Sequence, residues 1–211
     1  MHLLLIRHGQ TSLHKRKVLA GWTNDPGLDF DGQEQAKKLA EHISEFIPQL
    51  HFDAIYTSPL PRAKQTAVIL SAILTVPLFV ADDLKDINIG DWAGQPLADV
   101  VNSAIGKRYF LDPVGVRLPN GEEIAEVLDR VIPVVEHIRK DFINGSAIVV
   151  SHLDVIKLIL THYTHQSLHD LHKMEMIPTA SGQMISFSKD GVQVMPITTS
   201  SKPARPNAEH L

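Results

Sequence analysis

A three-layer α/β/α sandwich around a mostly parallel sheet, with an antiparallel edge strand, is the fold class this sequence predicts. Two short apolar runs, Leu3-Leu4-Leu5-Ile6 and Ala147-Ile148-Val149-Val150, contain no polar alternation. Runs of that kind fit strands covered on both faces, as in a parallel sheet. Strand-like runs then alternate with segments of helical period through residue 160, the pattern of crossover connections. Finally, Gln183 to Ser188 and Val192 to Ile197 flank Lys189-Asp190-Gly191 and read as a terminal hairpin.

The elements follow in order. The first strand runs from Leu3 to Ile6 and closes on Arg7-His8-Gly9. Ser12 to Phe30 shows no period, and Gly21, Pro26 and Gly27 mark it as a loop; a loop this long inside a domain is usually functional. Asp31 with Glu34 forms a capping-box pattern, followed by Ala36, Leu39, Ala40, Ile43 and Ile47 at helical spacing, with Pro48 as the stop. Asp53 to Thr57 is a second strand. A helix begins near Leu60 to Arg62, its face running through Ala63, Ala67, Leu70 and Leu74 until Pro77. Leu78 to Val80 is a short third strand, and Asp82 to Gly94 a loop. Gln95 to Leu118 holds one short helix, near Leu97 to Ala104. Asn120 with Glu123 caps a long helix lined by Ile124, Val127, Leu128, Val131, Val135 and Ile138, and Pro133 is expected to kink it. After the strand at 147–150 comes Ser151-His152, then a helix carrying Val155, Ile156, Ile159 and Leu160.

Composition bounds the function. With 211 residues and 44% apolar content, the chain suits one domain over residues 1–197, followed by a flexible polar tail over 198–211. A net charge of -4 without a basic stretch argues against nucleic acid as a partner. No apolar segment approaches the roughly 20 residues a membrane span needs, and Arg7 interrupts the first apolar run too early for a secretory signal. The absence of cysteine removes thiol catalysis and thiolate metal sites and leans toward a cytoplasmic setting.

Two strands end on histidine, at His8 and His152. In open α/β sheets ligands sit beyond the carboxyl ends of the strands, so both imidazoles belong to one rim. Ser58-Pro-Leu-Pro-Arg62 places Arg62 on the first turn of a helix leaving the second strand. A helix N-terminus favours anions, and guanidinium adds a planar fork suited to phosphate oxygens.

Leu5-Ile-Arg-His-Gly-Gln-Thr11, Ser58-Pro-Leu-Pro-Arg-Ala-Lys-Gln-Thr-Ala67, Leu84-Lys-Asp-Ile-Asn-Ile-Gly-Asp-Trp-Ala-Gly94 and Val149-Val-Ser-His152 resemble, in order, the four signature segments of the histidine phosphatase (phosphoglycerate mutase-like) superfamily. The similarity extends to about Ile197 and is closest to the phosphatase branch, near the α-ribazole and broad-specificity phosphatases. It implies a phosphomonoesterase that takes small phosphorylated substrates and needs no metal or cofactor. His8 would be the nucleophile, with Arg7, Arg62 and His152 gripping the phosphoryl oxygens. Asp86 would be the general acid, where the phosphatases usually carry glutamate. Gln10, Thr11, His14, Gly21 and Leu153 are the further phosphate or substrate contacts. His14 stands where the family commonly has asparagine, and Leu153 where it has a small residue. Thr11 serves equally well as a loop-holding hydrogen bonder. Two alternatives remain: a mutase that returns the phosphoryl group to a sugar acid, and a phosphate-ligand binding protein with weak turnover.

Other features are read more plainly. His162, His165, His169 and His172 have ligand-like spacing, but Gln166-Ser167 interrupts the helix and Asp170 is the sole nearby carboxylate. They are taken as solvated surface histidines rather than a metal site. Trp22 and Trp92 either wall the pocket or anchor its loops. Lys15-Arg16-Lys17 is a solvated face that could steer anions. The stripe from Val127 to Ile138 is core or the face of a homodimer.

Overall fold

The computed structural model describes residues 1–22, 26–46 and 50–198. Six strands, β1 (His2–Arg7), β2 (Ala54–Thr57), β3 (Leu78–Val80), β4 (Ser146–Ser151), β5 (Gly182–Ser188) and β6 (Gly191–Ile197), form one sheet in the order β3-β2-β4-β1-β5-β6. β3, β2, β4 and β1 are mutually parallel. The antiparallel edge is the terminal hairpin, in which β5 runs against both β1 and β6.

The unbroken apolar runs are explained by burial on both faces. On one face Leu4, Ile6, Ile55, Ile148 and Val150 pack with Leu39, Ile43, Ala63 and Leu70, from α2 (Phe30–Phe46) and α3 (Pro61–Leu74). On the other, Leu3, Leu5, Ala147 and Val149 pack with Val127, Val131, Val155 and Ile159, from α6 (Ile124–Asp141) and α7 (Leu153–Tyr163). Truncating any one of these buried leucines to alanine costs about 2–5 kcal/mol. Val127, Val131, Val135 and Ile138 are fully buried within the chain, so this stripe belongs to the core and not to a dimer face.

Several boundaries differ from the sequence expectation. Ser12–Arg16 is a short helix, α1, inside the stretch read as loop. It lacks an apolar face and none of its residues is buried, so periodicity has nothing to detect. α2 is capped by Asp29, whose Oδ1 accepts from the Gly32 amide at 2.8 Å, rather than by Asp31. α6 is capped by the reciprocal pair Glu123 and Glu126 rather than by Asn120. It runs through Pro133 as one helix. Residues 95–118 hold two helices, α4 (Leu97–Asn102) and α5 (Ala104–Leu111). Residues 82–84 and 90–92 form 3₁₀ turns within the expected loop. Ile47 and Pro48, expected to end α2, and the tail beyond Thr198 lie outside the described residues. Among the described residues no helix is long and apolar enough to cross a membrane.

The topology places the two histidines side by side. β1 and β4 pair in register, with Arg7 opposite Ser151, so the next residue of each strand lies at one rim. Gly9 is required there: a Cβ would lie 2.6 Å from the Gly32 carbonyl oxygen. The close approach at Gly9 is to the first turn of α2.

Candidate active site

Four residues distant in sequence meet at this rim. The His8 and His152 rings lie 5.2 Å apart. Arg62, on the first turn of α3 behind Pro61, donates from Nε to His8 Nε2 at 3.2 Å. The same guanidinium donates from Nη2 to Asp86 Oδ2 at 2.9 Å and from Nη1 to the Gly21 carbonyl at 3.2 Å. Asp86 Oδ2 stands 3.6 Å from His152 Nδ1. The shorter aspartate thus reaches the cluster.

The hydrogen bonds fix the tautomers. His8 Nδ1 faces the Gly9 carbonyl at 2.8 Å, so Nδ1 carries the proton and Nε2 keeps its lone pair. Burial, together with His152 and Arg62, holds the His8 pKa well below 6.5. His8 is therefore a neutral base whose Nε2 lone pair accepts from Arg62 at the cavity. His152 is the mirror case. Ser58 Oγ, which accepts from the Leu60 amide at 3.3 Å, lies 2.8 Å from His152 Nε2, and the Asp86 carboxylate on the Nδ1 side assigns Ser58 as the donor of that bond. This leaves the proton of His152 on Nδ1, a fully buried donor with no hydrogen-bond partner among the described residues. Burial and Arg62 hold this ring neutral as well.

His14 completes the donor set. The Thr11 amide donates to His14 Nδ1 at 3.2 Å, as the cap of α1. Burial and Arg7 push the His14 pKa down to about 4, so near neutrality its proton sits on Nε2. That nitrogen lies 3.3 Å from Arg7 Nη2, so the imidazole stands against the guanidinium at the cavity wall. Arg7 Nη1 donates to the Ile177 carbonyl at 2.6 Å, and Arg7 Nε is buried without a partner. Unpaired buried donors are costly, and a tetrahedral oxyanion is the ligand that would satisfy Arg7, His14 and His152 together.

The remaining expected contacts divide. Thr11 is buried and bonded to His14 Nδ1 at 2.9 Å, so its hydroxyl holds the α1 cap. Gly21 contributes its carbonyl to Arg62 and adopts φ +60. Leu153 lines the cavity. Gln10 does not reach it, because its amide turns back to the Asp29 and Asp31 carboxylates at 3.2 and 3.3 Å. Trp22 anchors the 83–86 turn by donating to the Asp86 carbonyl at 2.7 Å, and Trp92 is buried against Tyr109. Lys15 is held by Asp29 and Asp31, whereas Lys17 lines the cavity.

Other residues emerge only in three dimensions. Arg130 donates to the carbonyls of Lys85 and Asp86 at 2.9 and 2.8 Å, and pairs with Glu122. It clamps the turn that presents Asp86. The cavity itself, about 540 Å³, extends from His8 past Asp154, Lys157, Tyr109 and His172. His172 is not a solvated surface histidine. It packs against Tyr109 and Phe110 at 4.8 and 5.4 Å. His169 pairs with Asp112 at 2.8 Å, and among the described residues no three ligand-type side chains converge as a metal site would require. The signal for this second group was the placing of Asp154 and Lys157 within the otherwise apolar run from Leu153 to Leu160.

Comparison with known proteins agrees with this geometry. The sequence model of the histidine phosphatase superfamily (branch 1) matches residues 3–198. An uncharacterized phosphatase, PhoE, of Bacillus subtilis is 33% identical over 157 residues, 74% of each chain. Phosphoserine phosphatase 1 of Hydrogenobacter thermophilus is 32% identical over 152 residues, 71% of this chain and 70% of that one. The chain spans about half the length (51%) of a bifunctional protein of Mycobacterium tuberculosis, to which it is 30% identical over 90% of its own residues. Among solved structures, YhfR of Bacillus stearothermophilus superposes with a TM-score of 0.85 at 23% identity, over 94% of this chain and 98% of that one. With the family model matched over nearly the whole described chain and two phosphatase-named relatives above 30% identity, the chain belongs to the histidine phosphatase superfamily.

Proposed function

We propose that this protein is a phosphomonoesterase that hydrolyses small phosphorylated metabolites through a phosphohistidine on His8. The observation that carries the reading is the imidazole lone pair at His8 Nε2, turned to the Arg62 guanidinium, beside buried donors without a partner at Arg7 Nε and His152 Nδ1. That arrangement supplies a nucleophile and an oxyanion seat at one point.

The chemistry follows from those atoms. An arriving phosphomonoester draws the Arg62 guanidinium from His8 Nε2 onto its oxygens and frees the lone pair. Nε2 attacks phosphorus in line, the phosphorus–oxygen bond to the alcohol breaks, and the Asp86 carboxyl supplies the proton the leaving oxygen needs. Arg7, Arg62, His14 and His152 hold the equatorial oxygens as charge rearranges. Water then attacks the phosphohistidine and returns its proton to Asp86; inorganic phosphate leaves and Nε2 regains its lone pair. Phosphoryl transfer of this kind rests on positioning and charge, which the cationic pocket provides without a metal ion. A chain without cysteine suits a cytoplasmic setting.

The test is to quench turnover of a phosphorylated substrate and look for acid-labile, base-stable phosphate on the protein. The expected label is lost in His8→Asn. Full activity with no label would overturn the mechanism.

A further inference from the structure

Beyond the phosphoryl end, the cavity runs on between α5, the first turn of α7 and the 168–177 segment, and its polar groups there lack partners. Asp154 lines it and makes no hydrogen bond or ion pair among the described residues. The Tyr109 hydroxyl and His172 Nε2 are buried and likewise unpartnered, and Tyr109 is only 3% exposed. Lys157 differs, since its ammonium donates to the Leu171 and Met174 carbonyls at 3.4 and 3.0 Å. All four residues line the cavity that runs on from His8, the side on which the alcohol half of a substrate would extend.

We propose that this end of the cavity is a leaving-group subsite for a neutral, hydroxyl-bearing alcohol, with Asp154 accepting its hydroxyl hydrogen and Tyr109 donating to its oxygen. The inference rests on the phosphatase reading and names its substrate class. A substrate carboxylate would stand against the Asp154 oxygens, with the Lys157 ammonium turned to the Leu171 and Met174 carbonyls, and is disfavoured. A substrate ammonium would meet the Arg7 and Lys157 cations along the same wall and gains little. Burial and Asp86 push the Asp154 carboxyl up to about 6, so at pH 7 it is mainly the accepting carboxylate. Burial keeps the Tyr109 hydroxyl protonated and therefore a donor. Leu97, Phe110 and Leu153 supply apolar wall for the carbon skeleton. Buried groups left unpaired by the wrong substrate give sharper discrimination than apolar fit does.

The experiment compares kcat/KM for glycerol 3-phosphate and 3-phosphoglycerate, which share the phosphorylated carbon and differ at the far end, hydroxymethyl against carboxylate. The wild type is expected to favour glycerol 3-phosphate by about 10²-fold or more. Asp154→Asn narrows that ratio about tenfold or more, chiefly through KM for 3-phosphoglycerate. Tyr109→Phe lowers kcat/KM for glycerol 3-phosphate more than for 3-phosphoglycerate. A wild type that takes 3-phosphoglycerate equally well, or a ratio that neither substitution moves, overturns the subsite while p-nitrophenyl phosphate is still turned over. No turnover of p-nitrophenyl phosphate either would overturn the phosphatase reading and the subsite with it.

Discussion

The ends of β1 and β4 are near twins. Each closes a buried apolar strand with a histidine at the same rim, and each imidazole is held neutral by burial. Their second partners separate them. At β1 a backbone carbonyl takes the Nδ1 proton and bares Nε2. At β4 the Ser58 hydroxyl takes up Nε2 and leaves a proton on Nδ1. On the proposed mechanism, one residue type thus serves as nucleophile at one strand end and as oxyanion donor at the other. The difference lies in a single neighbouring dipole rather than in the strand or the depth of burial.

That contrast can be broken from either side. His8→Asn removes the lone pair and is expected to lower kcat by on the order of 10⁴-fold or more, with no phosphoenzyme. His152→Asn removes one preorganised donor and should cost roughly 10²–10³-fold in kcat, while a phosphoenzyme still accumulates on His8 during turnover. Equal losses with the label absent in both would show that the two rings are not specialised. Ser58→Ala releases the His152 tautomer and should cost about tenfold, one hydrogen bond's worth, with KM for substrate little changed.

A smaller effect sharpens the shared half of the comparison. Both rings titrate near 6.5 once unfolded and well below it in the fold. Above pH 6.5 neither affects stability. As pH falls below 6.5 the unfolded chain binds protons the native chain does not, and stability drops by up to about 1.4 kcal/mol per pH unit for each ring. Urea unfolding at pH 7 and pH 5 should show the loss, and His152→Asn should reduce it. Inorganic phosphate at 100 times its Kd should add about 2.7 kcal/mol at either pH. Equal wild-type stability at the two pH values would contradict neutral burial.

The same division explains what could be read from the chain. His8, His152 and Arg62 sit at the ends or starts of regular elements, where an apolar run stops on a charged or titratable group, and topology alone brings them to one rim. The far wall has no such grammar. Asp154 and Lys157 are polar residues inside an apolar helix run, and Tyr109 and His172 arrive from α5 and a 3₁₀ segment joined by no local pattern. α1 leaves no periodic trace because it buries no face, and the sequence expectation for Gln10 fails because its amide is engaged by Asp29 and Asp31. Arg130 was hidden because its partners are backbone carbonyls of a distant turn, which no side-chain pattern records. Chemistry carried by strand ends is legible; a surface assembled from loops requires coordinates.

The most direct measurement concerns which nitrogen of His8 carries the phosphoryl group. Phosphorus NMR or fragmentation of the trapped phosphoenzyme resolves the two isomers. The Gly9 carbonyl on Nδ1 predicts phosphate on Nε2 alone; phosphate on Nδ1, or on His152 instead, would contradict the account.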